Sequence, residues 1–244
     1  REGLAKSKNL VAIRVLKHID PKYALDYITR FGFDKKKHSP YLSMALGVGQ
    51  VTALEMLAAY GVFANGGYLK KPYFIEKIID VKGRKIKQNF SVTNEETPRI
   101  IDPRNAFIMN SLLKEVINTG TARKAKIIKR SDLAGKTGTT NELVDAWFAG
   151  FNQDIVTVTW MGFDQPKTLG KHESGSRAAL PIWIDYMRPI LKNYPMREVE
   201  TPHGIIPLKI NPINGILAEE NENSIYEYFY DEFLPIENAY FLLN

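Results

Sequence analysis

Three observations predict an α+β fold for these 244 residues. Apolar residues recur at helical spacing behind helix-start signals in the first 120 positions. Three strand-like runs then follow one another between 133 and 162, with short connections that favour antiparallel neighbours. A further helical run comes after them. Helices placed before and after an antiparallel sheet, rather than alternating with its strands, define the class.

The first helix is predicted over 10–18, with Leu10, Ile13 and Leu16 at helical spacing. Asp20-Pro21 starts the next, Asp20 as cap and Pro21 at the first helical position. That helix carries Tyr23, Ala24, Tyr27 and Ile28 and stops near Gly32. Thr52-Ala53-Leu54-Glu55 is a capping box, in which hydroxyl and carboxylate satisfy orphan backbone donors. The helix it opens is apolar almost all round (Leu54, Met56, Leu57, Ala58, Ala59), which predicts burial. Asn65-Gly66-Gly67 ends it with residues that accept positive φ. Segments 72–80 and 84–88 read as a hairpin around Lys82-Gly83. Asp102-Pro103 caps a helix that runs to about Thr119 and is closed by Gly120.

Strands are predicted over 133–140, 145–151 and 155–162. The last alternates Val156, Val158 and Trp160 against Thr157, Thr159 and Met161. Trp147, Phe148 and Trp160 are read as sheet core. A loop rich in Gly, Ser and Lys spans 164–177, and a helix follows from about 179 to 191. The tail, marked by Pro202, Gly204, Pro207, Pro212 and Gly215, holds a short apolar strand at 205–210. Two regions result, 1–194 and 195–244.

Composition narrows the class of function. Hydrophobic residues make up 44% and charged residues 25%, which excludes disorder and collagen. No run approaches eighteen apolar residues, so no transmembrane helix is predicted. The absence of cysteine removes thiol nucleophiles, disulfide scaffolds and zinc ribbons. The net charge of +6 is uneven: 195–244 carries two basic and nine acidic residues, leaving the first 194 at +13. A basic body suits a carboxylate substrate or an anionic surface. Lys35-Lys36-Lys37 has no interleaved aromatics, so nucleic acid is not a predicted partner. His18, His38, His172 and His203 are scattered, and no metal site is predicted from them.

Gly135-Lys136-Thr137 invites a phosphate-loop reading. That motif needs a glycine five residues earlier, and position 130 is Arg. The same residues suit another use. On a strand, Thr137 and Thr139 share one face and Lys136 and Gly138 the other. At a sheet edge, such a strand can take an extended peptide as an added strand. Gly138 would let the ligand backbone approach, and Lys136 would offer positive charge to a carboxylate or a neighbouring hydroxyl. The plain alternative is a Thr-rich exposed hairpin. Ser7-Lys8-Asn9 stands just before the first helix, where Ser and Asn are ordinary caps.

Together the two motifs are more specific. A Ser-x-x-Lys, a Ser-x-Asn and a Lys-Thr-Gly make the signature of β-lactamases and penicillin-binding proteins. The last two occur here in that order, and their surroundings agree: residues 1–9, 44–47, 59–67, 135–141, 145–150 and 177–183. The sequence resembles the transpeptidase domain of class A (bifunctional) penicillin-binding proteins nearly end to end. It departs at 231–235, where the family has a Gly-Thr-Glu-Pro-like turn. The resemblance implies a β-lactamase/transpeptidase-like fold, with an antiparallel sheet of about five strands flanked by helices and a helical subdomain. It implies D,D-transpeptidation of peptidoglycan stem peptides ending in D-Ala-D-Ala, through a serine acyl-enzyme that β-lactams trap, with no cofactor. Ser7, Asn9 and Lys136 would be catalytic, and Thr137, Gly138 and Thr139 would bind substrate. Ser7 would relay protons, Asn9 would hold the stem-peptide backbone and the motif lysine, and the Thr139 N–H would form half of an oxyanion hole.

One element does not fit. No serine precedes Ser7, and the one Ser-x-x-Lys, Ser111-Leu112-Leu113-Lys114, falls after the Ser-x-Asn and mid-helix. The expectation is that no nucleophile lies in this chain and that the chain alone is inactive. It would then begin inside a larger domain, past its Ser-x-x-Lys segment and a membrane anchor, on the extracytoplasmic (periplasmic) side of the inner membrane. A β-lactamase, a D,D-carboxypeptidase-type hydrolase, or a non-catalytic β-lactam-sensing or docking domain are the rival readings.

Overall fold

The computed structural model describes residues 1–86, 98–219 and 223–235. The first helical elements are short: α1 (Glu2–Ala5), α2 (Asn9–Ile19) and α3 (Pro21–Ile28). Asp20 caps α3, its carboxylate accepting from the Lys22 and Tyr23 amides. A 3₁₀ turn then ends at Gly32 with φ +92°. The predicted capping box opens α4 (Ala53–Ala64): Glu55 N–H donates to Thr52 Oγ1 at 3.1 Å and Thr52 N–H to Glu55 Oε2 at 2.7 Å. Asp102 caps α5 (Pro103–Asn118).

Strands β1 (Ala134–Thr139), β2 (Ala146–Phe151) and β3 (Val156–Met161) form an antiparallel sheet in that order. β1 and β3 are its edges among the described residues. A π turn over Gly175–Ala179 leads into α6 (Leu180–Ile190). The tail forms a separate two-stranded sheet, β4 (Ile205–Ile210) with β5 (Ile225–Tyr230).

The α+β class therefore holds, with one revision of detail. The five described strands divide into a three-stranded and a two-stranded sheet instead of one sheet. The tail hairpin packs against α5, with Phe107 edge-on to Tyr228 at 4.9 Å, and its ladder is internal. β5 was not predicted. Its sequence, Ile-Tyr-Glu-Tyr-Phe-Tyr, is nonetheless rich in residues that favour strands. Of the predicted hairpin at 72–88, the described residues keep a short antiparallel end around Lys82-Gly83: Asp80 N–H donates to Arg84 O, Ile86 N–H to Ile78 O, and Ile79 faces Lys85 in an isolated bridge. Residues 87 and 88 lie outside the described residues.

Strand alternation divides the sheet into two faces. On one, Phe148 meets Trp183 of α6 edge-on at 5.0 Å, within a cluster that includes Leu180, Met187 and Val116. On the other, Ala134 and Phe151 pack with Leu113 of α5, Tyr60 of α4 and Leu4 of α1. Trp147 and Trp160 meet with tilted rings, centroids 6.0 Å apart, and Trp160 remains 40% exposed.

Arg130 and Asp132 anchor the approach to β1. Their side chains are 11% and 2% exposed and meet through two hydrogen bonds, at 2.8 and 2.5 Å. Arg130 also donates to the carbonyls of Leu191, Tyr194 and Pro195. Burial pushes the Asp132 carboxyl up, but the Arg130 hydrogen bonds and charge win and hold it below its ordinary range. Asp132→Ala would strand a buried guanidinium. It is expected to cost about 3–5 kcal/mol in denaturant unfolding, far more than an exposed ion-pair deletion. A change below about 1 kcal/mol would contradict this anchoring role.

Candidate active site

The site is assembled where α1 ends beside β1. Ser7 sits at the residue after the α1 cap, in left-handed conformation (φ 51°). Lys8 N–H reaches Gly3 O at 2.8 Å and Ser7 N–H reaches Leu4 O at 3.2 Å. This is the Schellman pattern that closes a helix, and glycine usually holds its left-handed position. Ser7 is therefore not a helix cap. The cap of α2 is Lys8, which makes no side-chain capping bond, and Asn9 is the first helical residue.

The turn is fixed against α5 from below. Thr121 N–H donates to Ala5 O at 3.0 Å. A Cβ on Gly120 would collide with that same Ala5 carbonyl, so the close approach requires glycine there. This packing brings Ser7 to β1, where Lys136 Nζ donates to Ser7 Oγ. The same ammonium donates to Thr137 O at 3.0 Å. Burial lowers the Lys136 pKa from 10.5 to about 8. No carboxylate pairs with Lys136 among the described residues.

The predicted alternation places the two threonines on the opposite face. Thr137 Oγ1 shares a hydrogen bond with Thr121 Oγ1 at 2.6 Å. Thr139 Oγ1 accepts from Gly175 N–H at 3.0 Å. Gly175 itself must be glycine, since a Cβ would collide with the carbonyl oxygens of Gly138 and Trp147. Between the faces runs the free edge of β1. Thr140 N–H is taken by Asp145 O on the β2 side, so by strand alternation the Thr139 N–H points to the free edge. Gly138 lies flat against Trp147, whose Cβ is 3.1 Å from where a Cβ would stand.

Lys136, Ser7 and the threonine strand are thus brought around one edge. Asn9 lies two residues beyond Ser7, exposed on the first turn of α2. Thr121 and Gly175 were not predicted. In the sequence Gly120 reads only as a helix stop, Thr121 carries no signal, and Gly175 is one residue of a loop rich in Gly, Ser and Lys, because tertiary packing alone gives them their role. Ser111 lies elsewhere. Its hydroxyl accepts from Arg1 at 3.0 Å, and Lys114 is paired with Glu198. Both line a cavity of about 1060 Å³ between α1, α5 and β4–β5, and neither Ser7 nor Lys136 lines it. Among the described residues, no group of three or more His, Asp or Glu converges as a metal site.

The site is thus a lysine-held serine beside a threonine-lined strand edge, on helices packed over an antiparallel sheet. The chain belongs to the penicillin binding protein transpeptidase domain family, whose model matches residues 1–188. It is similar to penicillin-binding protein 1A of Neisseria lactamica, 48% identical over 207 residues, covering 84% of this chain and 26% of that protein. It is 40% identical to penicillin-binding protein 1A of Pseudomonas aeruginosa, over 96% of this chain and 34% of that protein. Its fold matches the crystal structure of penicillin-binding protein 1A from Haemophilus influenzae with a TM-score of 0.89. That match has 34% identity and covers 96% of this chain and 40% of the other. The chain spans between about a quarter and a third of the length of these curated relatives.

Proposed function

We propose that the chain is the transpeptidase portion of a bifunctional peptidoglycan synthase, and that it cross-links stem peptides through a serine acyl-enzyme. The observation that carries this reading is the Lys136–Ser7 contact on one side of the β1 edge, with Thr137 and Thr139 on the other. In the reaction, a serine attacks the D-Ala-D-Ala carbonyl, terminal D-Ala departs, and an amine of a neighbouring stem resolves the ester. Lys136 Nζ donates to Ser7 Oγ, which leaves the Ser7 O–H free to donate to the departing nitrogen. The same cation makes that hydroxyl a better acid. Thr137 and Thr139 take the terminal carboxylate, and the Thr139 N–H supplies half of the oxyanion hole. Asn9 holds the stem-peptide backbone and the lysine of the nucleophile's motif. Gly138 lets the substrate backbone lie close.

The nucleophile is proposed to lie outside these 244 residues, on a Ser-x-x-Lys segment of the same protein, so that the chain alone is inactive. Residues 1–194 would form most of the transpeptidase domain, and 195–244 an acidic extension packed on it. The Arg1–Glu227, Arg104–Glu232 and Lys114–Glu198 pairs support that packing. No helix among the described residues is long and apolar enough to cross a membrane. Anchoring at the extracytoplasmic face of the inner membrane is assigned to the rest of the protein, with a role in cell-wall growth, cell shape and β-lactam susceptibility.

The test uses the full-length protein with a D-Ala-D-Ala stem peptide, an amine acceptor and, separately, nitrocefin. Release of D-Ala with a cross-linked product, and one slow equivalent of nitrocefin opening, are expected. Rapid steady-state nitrocefin turnover would instead make the protein a hydrolase. No reaction with either substrate would leave a sensing or docking domain.

A further inference from the structure

Beyond Thr137 and Thr139 lies charge that the proposed reaction does not use. Gly120, Thr121, Arg123, Lys124, Ser176 and Arg177 line a cavity of about 550 Å³. No apolar side chain is among them, so the cavity suits a polar ligand. Its two rims are tied to the two substrate threonines. Thr121 bonds to Thr137 at 2.6 Å. Gly175, between Ser174 and Ser176, bonds to Thr139 at 3.0 Å, while the hydroxyls of Ser174 and Ser176 hold one another at 3.0 Å. The cavity lining is therefore joined to the threonine face of the β1 edge through Thr121 and through the turn that holds Gly175 and Ser176.

Arg123, Lys124 and Arg177 are exposed, and among the described residues none of them is in an ion pair. Three cations around one cavity repel one another until an anion enters. A terminal carboxylate held at the threonines brings a single negative charge. That leaves positive charge for at least one more acidic group, and arginine presents the fork that grips a carboxylate at two points.

We propose that Arg123, Lys124 and Arg177 form a second carboxylate subsite, which takes an acidic group of a peptide lying along the β1 edge. This rests on the reading that the edge binds peptide. The carboxylate could belong to the acyl donor or to the amine acceptor, and the probes separate these sources. The donor probes are a D-Ala-D-Ala stem peptide with a free side-chain carboxylate and the same peptide amidated there. The acceptor probes are D-alanine and D-alaninamide.

Binding to the full-length protein is measured by calorimetry for wild type, for the Lys124→Gln/Arg177→Gln double variant and for the charge-keeping Lys124→Arg/Arg177→Lys double variant. In the Gln variant, the carboxylate form of one pair is expected to bind roughly tenfold more weakly, with a flatter salt dependence, while its amide form is unchanged. The charge-keeping variant should stay within about twofold of wild type. The pair that loses discrimination identifies the source. Equal weakening of carboxylate and amide forms, or none, overturns the subsite. Penicillin labelling of wild type is scored separately, so a failure of the acyl-transfer reading is seen apart from a failure of the subsite.

Discussion

Lys136→Met in the full-length protein is expected to slow acylation by penicillin by roughly 10²–10⁴-fold, the range for a positioned proton-transfer or charge-stabilising group. The same change is expected to make the fold more stable near neutral pH. Burial lowers the Lys136 pKa to about 8 from 10.5, so folding disfavours its charged form. Below pH 8 the whole cost is present. Between 8 and 10.5 the unfolded chain binds the extra proton, and stability rises with pH. A shift of this size corresponds to about 3 kcal/mol, from which the lost hydrogen bonds subtract about 1. A gain of roughly 2 kcal/mol in denaturant unfolding at pH 7 is therefore expected, with little gain left at pH 10.5. Loss of rate with gain of stability marks a residue held for chemistry.

The rate should carry the same signature. If the cation is the working form, acylation falls as pH rises through about 8. Arginine does not titrate there, so Lys136→Arg should show a flat profile through pH 8 at whatever rate survives. A wild-type profile that rises through pH 8 would instead make Lys136 a base.

Ser7→Ala is the second large effect. Among the described residues the hydroxyl accepts from Lys136 Nζ and has no other side-chain hydrogen-bond partner, and the residue is exposed, so the fold should tolerate its loss. Acylation is expected to slow by roughly 10²–10³-fold, with affinity for penicillin changed much less. Ser7→Gly separates chemistry from backbone. Both variants lack the hydroxyl, but glycine adopts φ 51° without a Cβ penalty. Ser7→Gly should therefore be about 1 kcal/mol more stable than Ser7→Ala while equally slow. Equal stability would mean that the left-handed conformation stores no strain.

The contrast between local and tertiary signals explains what was readable. Asp20-Pro21, the Thr52–Glu55 box and Asp102-Pro103 each satisfy their own backbone donors, and all three helices begin where those residues stand. The faces of β1 followed from period-2 alternation, and Lys136 and the threonines do lie on opposite sides. The spacing of 129 residues between Ser7 and Lys136 carries no local signal; the family motif supplied their pairing. Thr121, Gly175 and the cations beside them are set by how the α5 terminus and the π turn pack on β1, so nothing in their neighbourhood of sequence marked them. The division of strands into two sheets depended on where the tail docks, through Phe107 and Tyr228.

The most direct measurement is the site of covalent labelling in the full-length protein. The protein is treated with penicillin, digested, and the acylated peptide is identified by mass. The account predicts one label per molecule, on the serine of a Ser-x-x-Lys segment outside these 244 residues, no label on the 244-residue chain treated alone, and strongly slowed labelling in Lys136→Met. A label on Ser111 or Ser7, or acylation of the isolated chain, would contradict it.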